Sequence, residues 1–174
     1  RLALARGLKV PAVIVVNGHV GPPGKTVDYK QIQCIDLAKR GMIALNPEWF
    51  SYGELAGDGY WHNGIAWLDL FGKSGVALFY LALRGAVDLI LDHPNADPER
   101  VAVTGLSGGG WQTIFLAALD ERVKACAPNA GYIGLATRLF HSGDVGDLEQ
   151  NPADLLLAAD YTHLTALLVP RPAL

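Results

Sequence analysis

The chain has 174 residues, 51% of them hydrophobic and 18% charged, with a formal net charge of −3. That length suffices for one domain with a real core. No basic tract or basic face is present, so no nucleic-acid partner is expected, and no apolar run approaches the roughly 18 residues of a membrane-spanning helix.

Residues 1–9 carry no strong pattern, and no secretory leader is read there. Pro11 introduces Ala12-Val13-Ile14-Val15-Val16, whose β-branched run predicts a buried strand. It runs into Asn17-Gly18-His19-Val20-Gly21-Pro22-Pro23-Gly24, a loop of turn residues. Residues 28–40 set Ile32, Ile35, Leu37 and Ala38 among charges and are closed by Gly41, which predicts an amphipathic helix. Residues 42–45 read as the next strand. From 46 to 75 the periodicity breaks into a long segment with Trp49, Phe50, Tyr52, Tyr60, Trp61, Trp67 and Phe71. Such a segment either lines a site or buries its own aromatics as an irregular surface loop. Residues 76–91 are helical again and stop before His93-Pro94. Asp97-Pro98-Glu99-Arg100 is a turn.

Residues 101–119 are the centre of the chain. Val101-Ala102-Val103-Thr104 is a short buried strand, and 111–119 is an apolar helix without Gly or Pro. Between them, Gly105-Leu106-Ser107-Gly108-Gly109 fits G-x-S-x-G. Strand, glycine turn and helix form the context in which that string makes a nucleophile elbow. The reason is steric. A serine held in a strained turn at the end of a strand needs neighbours without bulky Cβ groups. The following helix start offers unpaired N–H groups and a positive dipole end to a developing oxyanion. The other reading is a plain glycine-rich turn or a phosphate cradle. No Lys follows the glycines, so a P-loop is excluded. Residues 123–127 read as a fourth strand, 128–151 as loop-rich, and 153–168 as a helix. Pro170-Arg171-Pro172 then enters another strand. The β-α alternation predicts an α/β fold, a three-layer α/β/α sandwich on a mainly parallel sheet, with 1–174 as one partial domain. Cys34 and Cys126 lie far apart in apolar contexts and are expected as buried thiols.

With these residues in hand, the sequence resembles the α/β-hydrolase superfamily, and within it the acetylxylan-esterase-like and dienelactone-hydrolase-like serine hydrolases. The resemblance rests on residues 11–21, 37–46, 97–110 and 160–172, and so spans almost the whole chain. It implies an eight-stranded sheet of which the strands read here are the third to sixth. It also implies a triad acid and base beyond residue 174, so that the chain is an internal fragment. Ser107 would be the nucleophile, and the Gly108 N–H the first oxyanion donor. Asn17-Gly18 stands where the family has His-Gly, which makes the second donor the N–H of His19 or of Val20. Trp49, His62 and Trp111 are candidate pocket residues. The His19 side chain either lines that pocket or orders its loop.

Candidates for an internal base are His62, in the aromatic loop where it could approach substrate, His93, His141 and His163. His93 lies in a surface turn, and His141 follows the fourth strand near Asp144 and Asp147. Asp160 and His163 stand three apart, close enough for a carboxylate–imidazole pair on one helical face. Against a catalytic pair stands a helix packed before the next strand with a solvent-side pair. Glu48 is expected to order the loop below the elbow. No cluster has metal spacing, so no metal or cofactor is expected. The function implied is cleavage of a carboxylic ester, such as that of an acetylated carbohydrate or another small molecule. The alternatives are a prolyl-oligopeptidase-type peptidase and a catalytically inactive fragment. Against the peptidase, Gly108 and not an aromatic residue follows the serine. Compartment and oligomeric state are not legible.

Overall fold

A computed structural model describes residues 7–57, 61–141, 152 and 154–174. Four strands form one parallel sheet in the order β2-β1-β3-β4. They are β1 (Val10–Val16), β2 (Ile43–Leu45), β3 (Ala96–Leu106) and β4 (Ala125–Asn129). The helices are α1 (Asp28–Lys39), α2 (Val76–Leu91), α3 (Gly108–Leu119), α4 (Leu135–His141), α5 (Leu155–Ala158) and α6 (Tyr161–Ala166). The parallel α/β architecture is the one the alternation predicts.

Strand alternation sorts the side chains between the two faces. Ala12, Ile14 and Val16 join Phe79, Leu83, Val87, Trp111 and Ile114 in the main core, under α2 and α3. Val13 and Val15 are also buried but lie outside that cluster, on the opposite face. There α1 packs against β1 and β2. Both faces of β1 are therefore dry, which explains its β-branched run, while β3 buries Val101 and Val103 and leaves Ala102 and Thr104 on its other face half-buried.

Three differences from the sequence reading have physical causes. The turn at 97–100 is counted within β3, yet the pairing jumps from Val10↔Ala96 to Ala12↔Val101. Those residues bulge away from β1, with the Asp97 carboxylate accepting the Glu99 N–H at 3.0 Å. The single helix read over 153–168 is two short helices, because Asp160 caps α6 and its extended backbone breaks the path. The long segment after β2 is not structureless: residues His62–Phe71 wind as a 3₁₀ helix. At the other end of the chain, Leu174 N–H donates to Cys126 O at 3.0 Å and Cys126 N–H to Pro172 O at 3.1 Å. Residues 172–174 thus make an isolated parallel bridge with β4, Cys126↔Ala173.

Register sets the position of the candidate site. Val16 pairs with Gly105 and Leu106 with Asn129. The loops after β1, β3 and β4 therefore leave the same end of the sheet side by side, and open α/β sheets place their sites at that end.

Candidate active site

Ser107 sits between β3 and α3 at φ 59° and ψ −123°, a conformation that costs a residue with a Cβ about 1–3 kcal/mol. Three backbone hydrogen bonds hold it there. Its N–H donates to Asn129 O at 2.9 Å, and its carbonyl accepts from the N–H groups of Gly110 (2.8 Å) and Trp111 (3.1 Å). The turn is this tight because the helix start presses on β1: a Cβ on Gly109 would lie 2.6 Å from Val16 O. Ser107 itself is exposed. Gly108 is the first residue of α3, where a backbone N–H has no acceptor within the helix.

The loop after β1 lies directly against this turn. A Cβ on Gly18 would sit 2.6 Å from Leu106 O and 3.1 Å from the Gly108 nitrogen. Only glycine lets the two backbones approach so closely. Buried Asn17 anchors the loop on both sides. Its side-chain amide donates to Pro47 O at 3.1 Å, and its carbonyl accepts from Gln112 Nε2 at 3.3 Å. The sequence-read donors Gly108 and His19 thus belong to neighbouring segments at one sheet end.

An aromatic wall stands beside the turn. Trp49 is 2% exposed, and a Cβ on Gly108 would lie 2.7 Å from its Cη2. Its ring stacks on Tyr52 (centroids 5.1 Å apart, 5° between planes) and meets the edge of His19 at 4.4 Å. His19 Nε2 and His62 Nε2 are 2.9 Å apart, and Tyr52 Oη lies 3.2 Å from His62 Nδ1. A bond between two imidazole nitrogens needs a proton on one and a lone pair on the other. Trp49 and His62, both read as pocket residues, are thus together with His19. Trp111 is not with them. It is fully buried, edge-on to Phe79 and Phe115, because the first turn of α3 points it into the core under α2. Tyr52 was missed: nothing local distinguishes it from the other aromatics of its loop.

Glu48 ties the two loops together. Its carboxylate accepts the Lys25 N–H at 3.0 and 3.1 Å and the Trp49 N–H at 3.0 Å. The Asp160–His163 pair is a helix cap and not a carboxylate–imidazole pair. Asp160 Oδ1 accepts from Tyr161 N–H (2.6 Å) and Leu135 N–H (2.9 Å), while His163 Nδ1 accepts the Asp160 N–H at 2.9 Å. His93 Nδ1 accepts the Asn95 N–H at 3.1 Å. His141 ends α4 on the surface. Asp144 and Asp147 lie outside the described residues. An apolar cleft of about 280 Å³, lined by Phe50, Trp61, Ile65, Trp67 and Leu78 among others, does not include Ser107.

Comparison with known proteins agrees with this fold. The candidate hydrolase YtaP of Bacillus subtilis (strain 168) is 28% identical over 128 residues, 67% of this chain and 42% of its own length. Among solved structures, a candidate acetyl xylan esterase (BF1801) from Bacteroides fragilis NCTC 9343 superposes with a TM-score of 0.78 at 21% identity, over 95% of this chain and 51% of that one. Methylesterase BT1017 superposes with a TM-score of 0.70 at 22% identity, over 95% of this chain and 35% of that one. The chain spans about half or less of the length of these proteins, and the structural likeness at such identities is one of fold. The profile of the dienelactone hydrolase family matches residues 1–151, a stretch that holds all four strands, the Ser107 turn and both loops beside it, and the chain belongs to that family.

Proposed function

We propose that this chain carries the nucleophile and oxyanion hole of a serine ester hydrolase. The observation that supports this best is the strained, exposed Ser107 turn with the Gly18 loop packed against the Gly108 nitrogen. Ser107 Oγ attacks the acyl carbon, and its proton passes to a base. The N–H groups of Gly108 and His19 receive the carbonyl oxygen as it gains charge. The alcohol leaves, and water then releases the acid from the acyl-serine.

The substrate proposed is a small acyl ester of a carbohydrate, above all an acetate. The buried Trp49 ring packs directly against Gly108, and a bulky ring this close to the first oxyanion donor is the feature on which a small acyl group is proposed. Tyr52 and His62 offer half-buried rings on which a sugar face packs. The acetyl xylan esterase likeness of fold is in keeping with this reading. No metal or cofactor is needed.

Four of the described histidines are otherwise engaged: His93 and His163 accept backbone N–H groups, and His19 and His62 bond each other. The fifth, His141, ends α4 on the surface, and we propose that without a base beside Ser107 the 174-residue chain alone turns over esters near background, since an unassisted serine hydroxyl is a weak nucleophile. The test uses the full-length gene product. Aryl acetate hydrolysis should exceed aryl butyrate hydrolysis and dipeptide anilide hydrolysis, and Ser107→Ala should lower it by about 10⁴ or more. A fluorophosphonate should label Ser107. Retained turnover in Ser107→Ala overturns the nucleophile. Preferential anilide cleavage favours a peptidase. Fast labelling of the 174-residue chain that is lost in His141→Ala or His163→Ala would place the base inside it.

A further inference from the structure

We propose that Lys30 is a positioning residue for the oxyanion loop: its side chain, buried beneath the end of β1, holds the Val16 carbonyl and so fixes where the 17–19 backbone meets Gly108. The proposal rests on the serine reading for its catalytic consequence and on geometry for the anchoring itself.

Lys30 is 1% exposed, although it lies on a helix whose sequence advertises other residues for burial. Lysine is almost never fully buried without a partner of opposite charge. Among the described residues no carboxylate pairs with it. Its ammonium donates to Val16 O at 2.7 Å, and the Tyr29 ring centroid lies 5.7 Å away. Burial pushes this ammonium below its usual pKa, with the charge of Cys34 opposing. A leucine or methionine would fill the same space without the desolvation cost. The carbonyl that Lys30 holds is therefore the feature to explain.

Val16 is the last residue of β1 in register with β3, opposite Gly105. Beyond it the chain leaves the sheet for Asn17, Gly18 and His19. The same oxygen faces the first turn of α3, since a Cβ on Gly109 would lie 2.6 Å from it. Three elements thus meet at one atom: α1 through Lys30, β1 through Val16 and α3 through Gly109. Downstream, Asn17 is held by Pro47 and Gln112. Lys30 supplies the hold one residue upstream, at Val16, and the peptide that presents the His19 N–H follows directly after these two fixed residues. Effective oxyanion donors must be fixed before charge develops, and displacements of about 1 Å are costly to rate.

The experiment compares wild type, Lys30→Met, Lys30→Gln and Val87→Ala in the full-length gene product. Val87 is 0% exposed on α2, so its truncation lowers stability without touching the loop. The first readout is amide hydrogen exchange. Lys30→Met should speed exchange at 17–19 by about tenfold, and Val87→Ala should not single out those amides. The second is the split of kinetic constants on an aryl acetate. Lys30→Met should lower kcat by about 10- to 100-fold with KM within about twofold, as expected for a misplaced transition-state donor. Lys30→Gln, shorter and uncharged but still a donor, should give the same pattern at smaller size and is the variant to read if Lys30→Met does not fold. Unchanged exchange at 17–19 overturns the anchoring whatever Ser107 does. Faster exchange with kcat unchanged, while Ser107→Ala is inactive, overturns the positioning role. Turnover that survives Ser107→Ala overturns the serine reading, and exchange then still decides the anchoring.

Discussion

Gly18→Ala probes the site at its narrowest point. The added methyl would lie 2.6 Å from Leu106 O, 3.1 Å from Gly108 N and 3.2 Å from Gly109 N. All three are backbone atoms of the turn and its helix, so none swings aside. Relief to an ordinary contact of 3.4 Å needs the 17–19 loop to retreat by about 0.8 Å. A shift of that size should lower kcat by about 100-fold, close to the loss of one oxyanion donor, with KM changed by less than about threefold. Overpacking should also cost about 1–3 kcal/mol of stability. For a chain of this length that is a fall in Tm of about 2–12 °C. The assay is aryl acetate turnover by the full-length gene product, with a circular dichroism melt to show the variant folded at the assay temperature. A folded Gly18→Ala protein with kcat within about threefold of wild type, beside an inactive Ser107→Ala, would refute the reasoning. The loop after β1 would then not hold the oxyanion.

Other outcomes follow from the same geometry. Glu48→Gln weakens three charge-assisted contacts to the Lys25 and Trp49 N–H groups and should cost about 1–3 kcal/mol in a denaturant titration. The Arg122 guanidinium beside Asp120 holds its carboxyl below the usual carboxylate range. A folded pKa below the unfolded value of about 3.9 contributes stability that is present above about pH 4 and lost as pH falls through the folded value. The urea midpoint of wild type should therefore drop below about pH 4, and that of Asp120→Asn should drop less steeply. Burial pushes the thiols of Cys34 and Cys126 up, most simply for Cys126 at 3% exposure, where the charge of Arg171 opposes. An aromatic disulfide reagent near pH 8 should reach half-buried Cys34 first and Cys126 only on unfolding; equal rates in the native protein would contradict the packing.

The elements with a strong local period were legible. The helix read over 76–91 is Val76–Leu91, and the β-branched runs of β1 and β3 are strands, β1 covered on both faces and β3 with Val101 and Val103 buried. The face of α1 was not legible. Ile32 and Ile35, which look like its apolar stripe, are 56% and 50% exposed, while Lys30 is buried. A hydropathy pattern counts the lysine's charge and ignores its four-carbon stem, which packs like an aliphatic chain. The signal available was spacing: Lys30 shares a helical face with Cys34 and Leu37. The break at Asp160 escaped notice because a capping box usually carries Glu or Gln at its third position, and here it is His163. The turn at Ser107 was readable because it is written in five consecutive residues, 105–109. The meeting of His19 with His62 spans 43 positions, and no local pattern announces it.

The backbone of Ser107 sets two selections against each other. At φ 59° a glycine would relax what a serine must endure, and the strain amounts to about 1–3 kcal/mol, a sizeable share of a domain's net stability. A library of variants screened for heat resistance alone would therefore enrich glycine at 107. The same library screened for ester turnover would discard it. The two populations would diverge at a single codon, and the ratio of glycine to serine recovered from a mixed screen would measure how strongly chemistry, and not folding, holds that position.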